Sequence, residues 1–170
     1  MSLNLLVKLL KSNKFNLEVD MFNFLKSFVL TLFCFYLFGA DHGYTKLAYI
    51  TNEKDNTVSV IDVEKMKVVN TTKVGQRPRG IILSNDAKLV IICVSDDDRI
   101  EVRDPKTMKL KYHLPSGPDP ELLVMSPDDN YLYIANEDDA MVTVVDMQDK
   151  MIVDDIPVGV EPEGMGLTND

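Results

Sequence analysis

The sequence predicts an all-β protein made of four-stranded antiparallel blades of the β-propeller type, and two observations carry this prediction. The first is a repeat: after residue 43 one unit recurs three times at a constant interval, without an insertion. The second is the content of each unit, which holds four short apolar alternations rich in β-branched residues and separated by turn residues. A period of about 40–50 residues with several short strands is typical of a propeller blade and not of a two-helix solenoid repeat.

The repeat interval is fixed by unlike residue types that each return at the same spacing. A glycine precedes each loop and a proline lies inside the loop. An aspartate ends one apolar alternation and a valine lies within that alternation. Each of these residues recurs at an interval of 42: Gly75, Gly117 and Gly159; Pro78, Pro120 and Pro162; Asp62, Asp104 and Asp146; Val60, Val102 and Val144. The first and third units are the most similar, since residues 49–53 (YITNE) return as 133–137 (YIANE). The repeats therefore share one register throughout.

Strands can be predicted within each unit. In the last complete cycle they cover residues 121–126, 131–135, 141–145 and 151–156, and 126–130 form a turn rich in Pro, Asp and Asn. The first predicted strand is 46–51 and the last is 163–168, which makes twelve strands, or three blades. We name the strands of a blade A to D from the channel outward.

Three blades are too few for a ring, because closed propellers have about 4–8. We favour the explanation that the chain is a truncated part of a longer protein. Assembly of several chains into one propeller is an alternative. In a third explanation, the three blades stay unclosed, and their exposed strand edges are an aggregation hazard.

Upstream of the repeats lies an apolar segment. Residues 28–40 carry no charge and follow Lys26, as in a secretory signal peptide. An uncleaved membrane anchor is the alternative, although about 20 apolar residues are needed for a span. We predict a natural start at Met21, so that 1–20 are a non-native extension, 21–40 a hydrophobic signal helix or anchor, and 44–170 the partial propeller. The expected location is the periplasm, or the membrane facing the periplasm or cell surface.

The charge of the chain disfavours one class of partner. It has 18 basic and 27 acidic residues, a net charge of −9. Removing residues 1–40 takes away four lysines and two acids, which leaves 14 basic and 25 acidic residues and a net charge of −11. Nucleic-acid binding needs cationic patches and is not expected. With one cysteine outside the signal and two separated histidines, we predict no catalytic residue and no metal centre.

Candidate binding residues follow from the blade topology. Because each strand reverses direction, the loops from strand D to the next strand A and from B to C emerge at one face. Polar residues of these loops are the predicted site, and the two sets are Arg77, Arg79, Asp119, Glu121, Glu161 and Glu163; and Asn52, Glu53, Asn136 and Glu137.

Two interpretations of this face stay open. In the first, the arginines hold an anionic group while the glutamates contact a cation or a basic partner; calcium would be the hard cation suited to oxygen ligands. In the second, the same residues form ion pairs that join neighbouring blades.

Several motifs resemble a known repeat family. Residues 49–52 (YITN), 57–62 (TVSVID), 74–80 (VGQRPRG) and 126–129 (SPDD) resemble the YVTN-type β-propeller repeat. Residues 116–121 (SGPDPE), 135–138 (ANED) and 158–164 (VGVEPEG) are similar, more specifically, to propeller proteins associated with PQQ-dependent alcohol catabolism in bacteria. The resemblance covers residues 44–170 and implies a periplasmic, seven-bladed propeller, of which about three blades are here. The middle unit departs from it, with Cys93, Val94 and Ser95 where the family has its Asn.

The expected function is that of an exported, non-catalytic module which binds a small ligand or assists a periplasmic quinoprotein dehydrogenase or cytochrome. We expect no bound cofactor, and calcium is the one possibility left open. We expect contact with the membrane only through the N-terminal segment. A cell-surface or surface-layer interaction protein is the alternative, and a fragment without independent function is another. An enzyme is not expected, because no nucleophile is paired with a base.

Overall fold

The computed structural model describes residues 46–168, and these form an all-β structure. The first eight strands are β1 (Leu47–Asn52), β2 (Thr57–Asp62), β3 (Lys67–Lys73), β4 (Pro78–Leu83), β5 (Val90–Val94), β6 (Arg99–Arg103), β7 (Leu110–Pro115) and β8 (Pro120–Met125). The last three are β9 (Tyr131–Asn136), β10 (Met141–Asp146) and β11 (Met151–Pro157). Two single 3-10 turns, Glu53–Asp55 and Ser95–Asp97, follow β1 and β5. In this part of the chain no helix is long and apolar enough to cross a membrane.

The strands form three separate antiparallel sheets in chain order. Strands β4–β7 and β8–β11 make two four-stranded sheets, and β1–β3 make a three-stranded one. Strands β4 and β8 are thus the A strands, β1, β5 and β9 the B strands, and β3, β7 and β11 the outer D strands. This arrangement confirms the predicted all-β blade architecture.

One predicted strand is wrong. The sequence predicts a twelfth strand at residues 163–168, but these residues are irregular. The described chain offers no following B strand with which they could pair, and a lone strand cannot satisfy its backbone hydrogen bonds. The predicted signal or anchor and the start at Met21 lie outside the described residues.

The apolar core lies in two layers, one on each side of the middle sheet. All five residues of β5 are buried. Val90, Ile92 and Val94 pack against the first sheet, whose Val58 and Val60 complete that layer. On the other side, Ile91 and Cys93 pack with residues of the third sheet, among them Leu132 and Ile134. Alternation along a strand therefore serves two cores at once.

The hairpin turns explain why an aspartate recurs in every unit. Asp104 Oδ1 accepts hydrogen bonds from the backbone N–H groups of Lys106 (3.1 Å) and Thr107 (2.8 Å). Asp62 and Asp146 accept the equivalent pairs in their own turns. Each aspartate thus closes the turn between strands C and D.

Backbone conformation follows the same interval. Eleven non-glycine residues have positive φ, and they fall into four series that keep the repeat interval: Asn56, Asp98 and Ala140; Met66, Met108 and Lys150; Arg77, Asp119 and Glu161; Ala87 and Asp129. Glycine, the residue that adopts this conformation most readily, occupies none of these eleven positions. The loop geometry is therefore set by the fold around it.

The two-sided burial of the middle sheet can be tested at one repeat position. Ile92 is 0% exposed, whereas Ile50, one interval earlier, is 46% exposed. We expect Ile92→Ala to lower the free energy of unfolding by about 2–5 kcal/mol because it leaves a cavity. Ile50→Ala, the matched control, should cost less than half as much.

The measurement is urea denaturation of the full chain at submicromolar concentration. Equal losses for the two variants would contradict the assignment of β5 to the centre of the core.

Candidate functional site

The loops at one face of the sheets are held in place by a repeated hydrogen bond. The N–H of Arg77, which has a φ of 50°, donates to Asn56 Oδ1 at 2.8 Å. The N–H of Asp119, one interval later, donates to Asp98 Oδ1 at 3.0 Å. Each D-to-A loop is thereby fixed to the B-to-C loop of the preceding sheet, which brings the two predicted sets of polar residues together.

Arg77 is the centre of the resulting charge cluster. Its Nη1 lies 2.9 Å and 3.0 Å from the two carboxylate oxygens of Asp119, and its Nη2 lies 3.1 Å from Glu121 Oε1. Longer ion pairs, from 3.4 to 3.9 Å, extend to Asp96, Glu53 and Glu137. These hydrogen bonds, first the one to Asp119, raise the pKa of Arg77 above its ordinary value. One guanidinium therefore connects all three sheets.

Arg79 lies on the neighbouring innermost position and shares a partner with Arg77. Its guanidinium forms an ion pair with Glu121, and a longer one of 3.6 Å with Glu53. Its backbone carbonyl accepts a hydrogen bond from the hydroxyl of Thr51 at 2.8 Å. The strand that carries Arg79 is thus tied to the first sheet by both backbone and side chain.

Glu121 is the buried member of the cluster, with only 4% of its surface exposed. Burial, and next a hydrogen bond with Glu137, raises its pKa from 4.5 to about 7, although the charge of Arg79 acts in the opposite direction. The cluster holds two arginines and five carboxylic acids, Glu53, Asp96, Asp119, Glu121 and Glu137. Negative charge is in excess, and this excess favours a proton on Glu121.

A cleft of about 430 Å³ opens beside the cluster. It is lined by Thr51, Glu53, Pro78, Arg79, Gly80, Glu121, Leu122 and Glu163. Arg79, Glu121 and Glu163 are equivalent in the three units, one at each successive innermost position. The cleft is therefore an arc of the channel mouth. Of the predicted residues, Glu161 stays outside: it is exposed, and no ion pair within 4 Å joins it to the described chain.

The two predicted asparagines lie within their own hairpins. The amide of Asn52 donates to the hydroxyls of Thr57 and Ser59, both at 2.9 Å. The amide of Asn136, which is fully buried, donates to Thr143 at 2.8 Å. Their position joins strands B and C and is apart from the charge cluster, so ligand contact by either residue stays a prediction.

The middle sheet shows what replaces this bond. Val94 takes the place of the asparagine, and Glu101 takes the place of the hydroxyl residue. Glu101 is buried and pairs with Arg103 at 2.7 Å. The departure from the repeat motif is therefore compensated within the same sheet.

Two members of the site were missed by the sequence reasoning. Asp96 lies in a predicted loop but was not singled out, and its ion pair with Arg77 joins two loops of the middle sheet. Thr51 is the second, since a threonine at the end of a strand carries no signal of a bond to a neighbouring blade. Its equivalents in the other units, Cys93 and Ala135, gave no indication either.

A metal could be held by one subset of these residues. Oxygens of Asp119, Glu121 and Glu137 lie within 4.8 Å of one another. Asp119 and Glu121 already accept hydrogen bonds from Arg77. A calcium ion at these three carboxylates would have to displace the guanidinium of Arg77, which already neutralises two of them. Calcium binding stays a prediction.

Comparison with known proteins identifies the fold. No protein-family model and no curated protein matches the chain. Among solved structures, Kuenenia stuttgartiensis hydrazine synthase is similar at a TM-score of 0.64 and 21% identity, over 69% of this chain and 34% of that one. Dihydro-heme d1 dehydrogenase NirN, in complex with DHE, is similar at a TM-score of 0.57 and 19% identity, over 68% of this chain and 25% of that one. Both are β-propeller proteins. The described sheets are propeller blades. The chain spans about a third and a quarter of the length of these two proteins, and at such identities the likeness shows the fold alone.

The raised pKa of Glu121 gives a pH dependence with a definite sign. Between pH 4.5 and about 7 the folded protein binds a proton that the unfolded chain releases. This contribution to stability is complete below pH 4.5 and is lost as the pH rises to about 7. We expect the fall in unfolding free energy between pH 5 and 7.5 to be smaller in Glu121→Gln than in the natural chain.

Urea denaturation at several pH values measures this fall. Glu161→Gln, which changes an exposed residue of the same type, is the control and should behave like the natural chain. The same fall in all three proteins would contradict the titration of Glu121 in this range.

Proposed function

We propose that the chain is part of an exported, non-catalytic β-propeller module that binds a partner through the face bearing the channel mouth. The observation that carries this proposal is the unequal charge of that face. Around the cleft, two arginines are outnumbered by six carboxylic acids once Glu163 is counted with the five of the cluster. Both arginines are already held by carboxylates.

The charge decides which partner suits the face. An anionic ligand would have to compete with Asp119 and Glu121 for Arg77, at distances of 2.9–3.1 Å. A cation, by contrast, would be attracted to this face, because Glu53 and Glu163 are exposed and line the cleft. A positively charged protein surface would also be attracted from a distance, since charge of one sign at a cleft raises the rate of encounter. We therefore favour a basic patch of a partner protein.

The class of partner and the location come from the sequence motifs. The repeats resemble those of periplasmic propellers of PQQ-dependent alcohol catabolism, and residues 21–40 have the pattern of a signal peptide. Both support a periplasmic quinoprotein dehydrogenase, or a cytochrome that accepts its electrons, as the partner. The module would contribute to their assembly without taking part in the reaction.

The ion pairs of Arg77 also have a structural role, and the two roles are separable. Glu163 forms no ion pair within residues 46–168 and can be changed to test the surface, whereas Arg77 and Arg79, with which Glu53 is paired, test the junction between blades. If Arg77→Gln and Arg79→Gln lower stability and leave binding unchanged, the arginines serve the junction and the exposed carboxylates carry recognition.

Binding can be measured directly with biolayer interferometry. The probes are a PQQ-containing periplasmic alcohol dehydrogenase and a c-type cytochrome, each immobilised and presented with the full chain. We expect binding to at least one of them, weakened tenfold or more by Glu163→Lys, and weakened by raising the salt from 50 to 200 mM.

Asp149→Lys is the matched control, because it reverses an exposed charge in a C-to-D turn at the opposite face. An equal effect of Asp149→Lys would contradict recognition at the channel mouth. No binding to either probe would contradict the proposed partners.

A further inference from the structure

One short motif of the sequence is explained neither by the repeat nor by the face at the channel mouth. Asn70, Thr71 and Thr72 form the pattern of an asparagine followed two residues later by a hydroxyl residue, with no proline between them. Asn70 is the one asparagine of the sequence in this pattern. In exported proteins the pattern is the acceptor motif for N-linked glycans, and it lies there at the surface.

The repeat does not require this motif. In the middle blade the positions of Asn70 and Thr72 hold Tyr112 and Leu114, which pack into the apolar core between the middle and third sheets. Asn70 and Thr72 belong to neither of the two core layers. The fold therefore accepts apolar or polar residues here, and packing does not explain why the first blade has an asparagine and a threonine.

The side chains of the motif bond to each other. Asn70 Nδ2 donates a hydrogen bond to Thr72 Oγ1 at 3.2 Å, and within residues 46–168 this is the one side-chain hydrogen bond of either residue. Other asparagines serve the fold, since Asn56 holds the loop before β4 and Asn136 joins strands B and C. The amide of Asn70 holds no second element in place, so it is free for chemistry.

The motif lies on the outer strand β3, where water reaches it. Asn70 and Thr71 are exposed, and Thr72 is half-buried. Asn70 lies opposite Val60, whose side chain is buried against the middle blade. Opposed residues of antiparallel strands have their side chains on one face, so Asn70 lies on the side of the sheet where a neighbouring blade is present. Its exposure therefore does not result from an uncovered face of the first blade.

A large hydrophilic group on Asn70 is compatible with the fold and with the binding face. Strand β3 pairs only with β2 within the described sheets and is the outermost strand of its blade, whereas the cleft lies at the innermost strands. Such a group would extend into water and cover part of the free edge of β3, where Val68 and Val69 are 58% and 53% exposed. Exposed apolar edge strands need protection from pairing with other chains.

We propose that Asn70 is the acceptor of an N-linked glycan. The inference rests on export of the chain, which is part of the proposed function, because the transfer takes place on the exported side of a membrane. The donor is a glycan carried on a lipid pyrophosphate. A bond forms between Asn70 Nδ2 and C1 of the first sugar, and the bond between C1 and the pyrophosphate oxygen breaks. Nδ2 loses one proton and the lipid pyrophosphate leaves. The hydroxyl group of Thr72 is the second part of the motif that the transferase recognises.

Cell-free translation of the full chain with microsomes of the endoplasmic reticulum tests this proposal, because these membranes import exported proteins and contain both a transferase and its donor. Resistance to added protease shows import. A loss of mass after treatment with endoglycosidase H shows an N-linked glycan. We expect the imported chain to carry one glycan.

Variants of the motif locate the glycan. Asn70→Gln and Thr72→Ala should abolish the loss of mass, whereas Thr72→Ser, which keeps the hydroxyl group, should retain it. Asn85→Gln changes an exposed asparagine outside the motif and is the matched control, which should behave like the natural chain.

The possible outcomes separate this proposal from the proposed function. An imported chain without a glycan, or a glycan that persists in Asn70→Gln, would overturn the proposal and leave export intact. A chain that is not imported would contradict export, and with it both this proposal and the proposed function.

Discussion

Each sheet of this protein has two apolar faces, and the rest of the structure depends on covering both. A sheet in a sandwich can leave one face in water, but strand β5 is buried along its whole length and contributes to a core on each side. Complete burial of an isoleucine contributes about 1.5–3 kcal/mol, so an uncovered face is costly. Blades therefore stack side by side, and the first blade, where Ile50 is 46% exposed, is a place where residues 46–168 do not meet this requirement.

Stacking brings the innermost strands together, and charge accumulates where their loops meet. Arg77 is paired with Glu53, in the B-to-C loop of the first sheet, and with Asp119, in the loop that leads into the third sheet, because these loops meet at the channel. Two arginines are too few to neutralise the acids around them, and the buried Glu121 responds with a raised pKa. The junction between blades and the recognition face are thus made of the same residues. The arginines stabilise the junction, and the carboxylates left in excess give the face its affinity for positive charge.

Much of the fold could be predicted from the sequence because the repeat interval gives the length of the structural unit and aligns its strands. Strand positions were accurate to one or two residues where apolar alternation is clear, as in 131–135 against the observed β9, Tyr131–Asn136. Residues 163–168 were predicted as a strand for the same reason, yet they are irregular, because a strand requires a partner as well as a pattern.

The site was harder to predict. Topology placed Arg77, Arg79, Glu53 and Glu121 at one face, but which of them touch depends on the angles between sheets. The left-handed conformation of Arg77 also could not be predicted, since arginine is not among the residues, glycine, asparagine and aspartate, that adopt it most readily. That conformation directs the loops across the channel mouth. Likewise, Asn52 and Asn136 are loop residues by sequence, while the structure uses them to join strands B and C.

Native-state hydrogen exchange of the full chain, observed residue by residue, tests the two-sided burial most directly. The account predicts that the amides of β5 exchange only through global unfolding, because this strand pairs on both edges and is covered on both faces. Those of β11, an outer strand exposed along its length, should exchange at least a hundredfold faster. Exchange of β5 as rapid as that of β11 would contradict the account, since it would mean that the middle blade is not the centre of the structure.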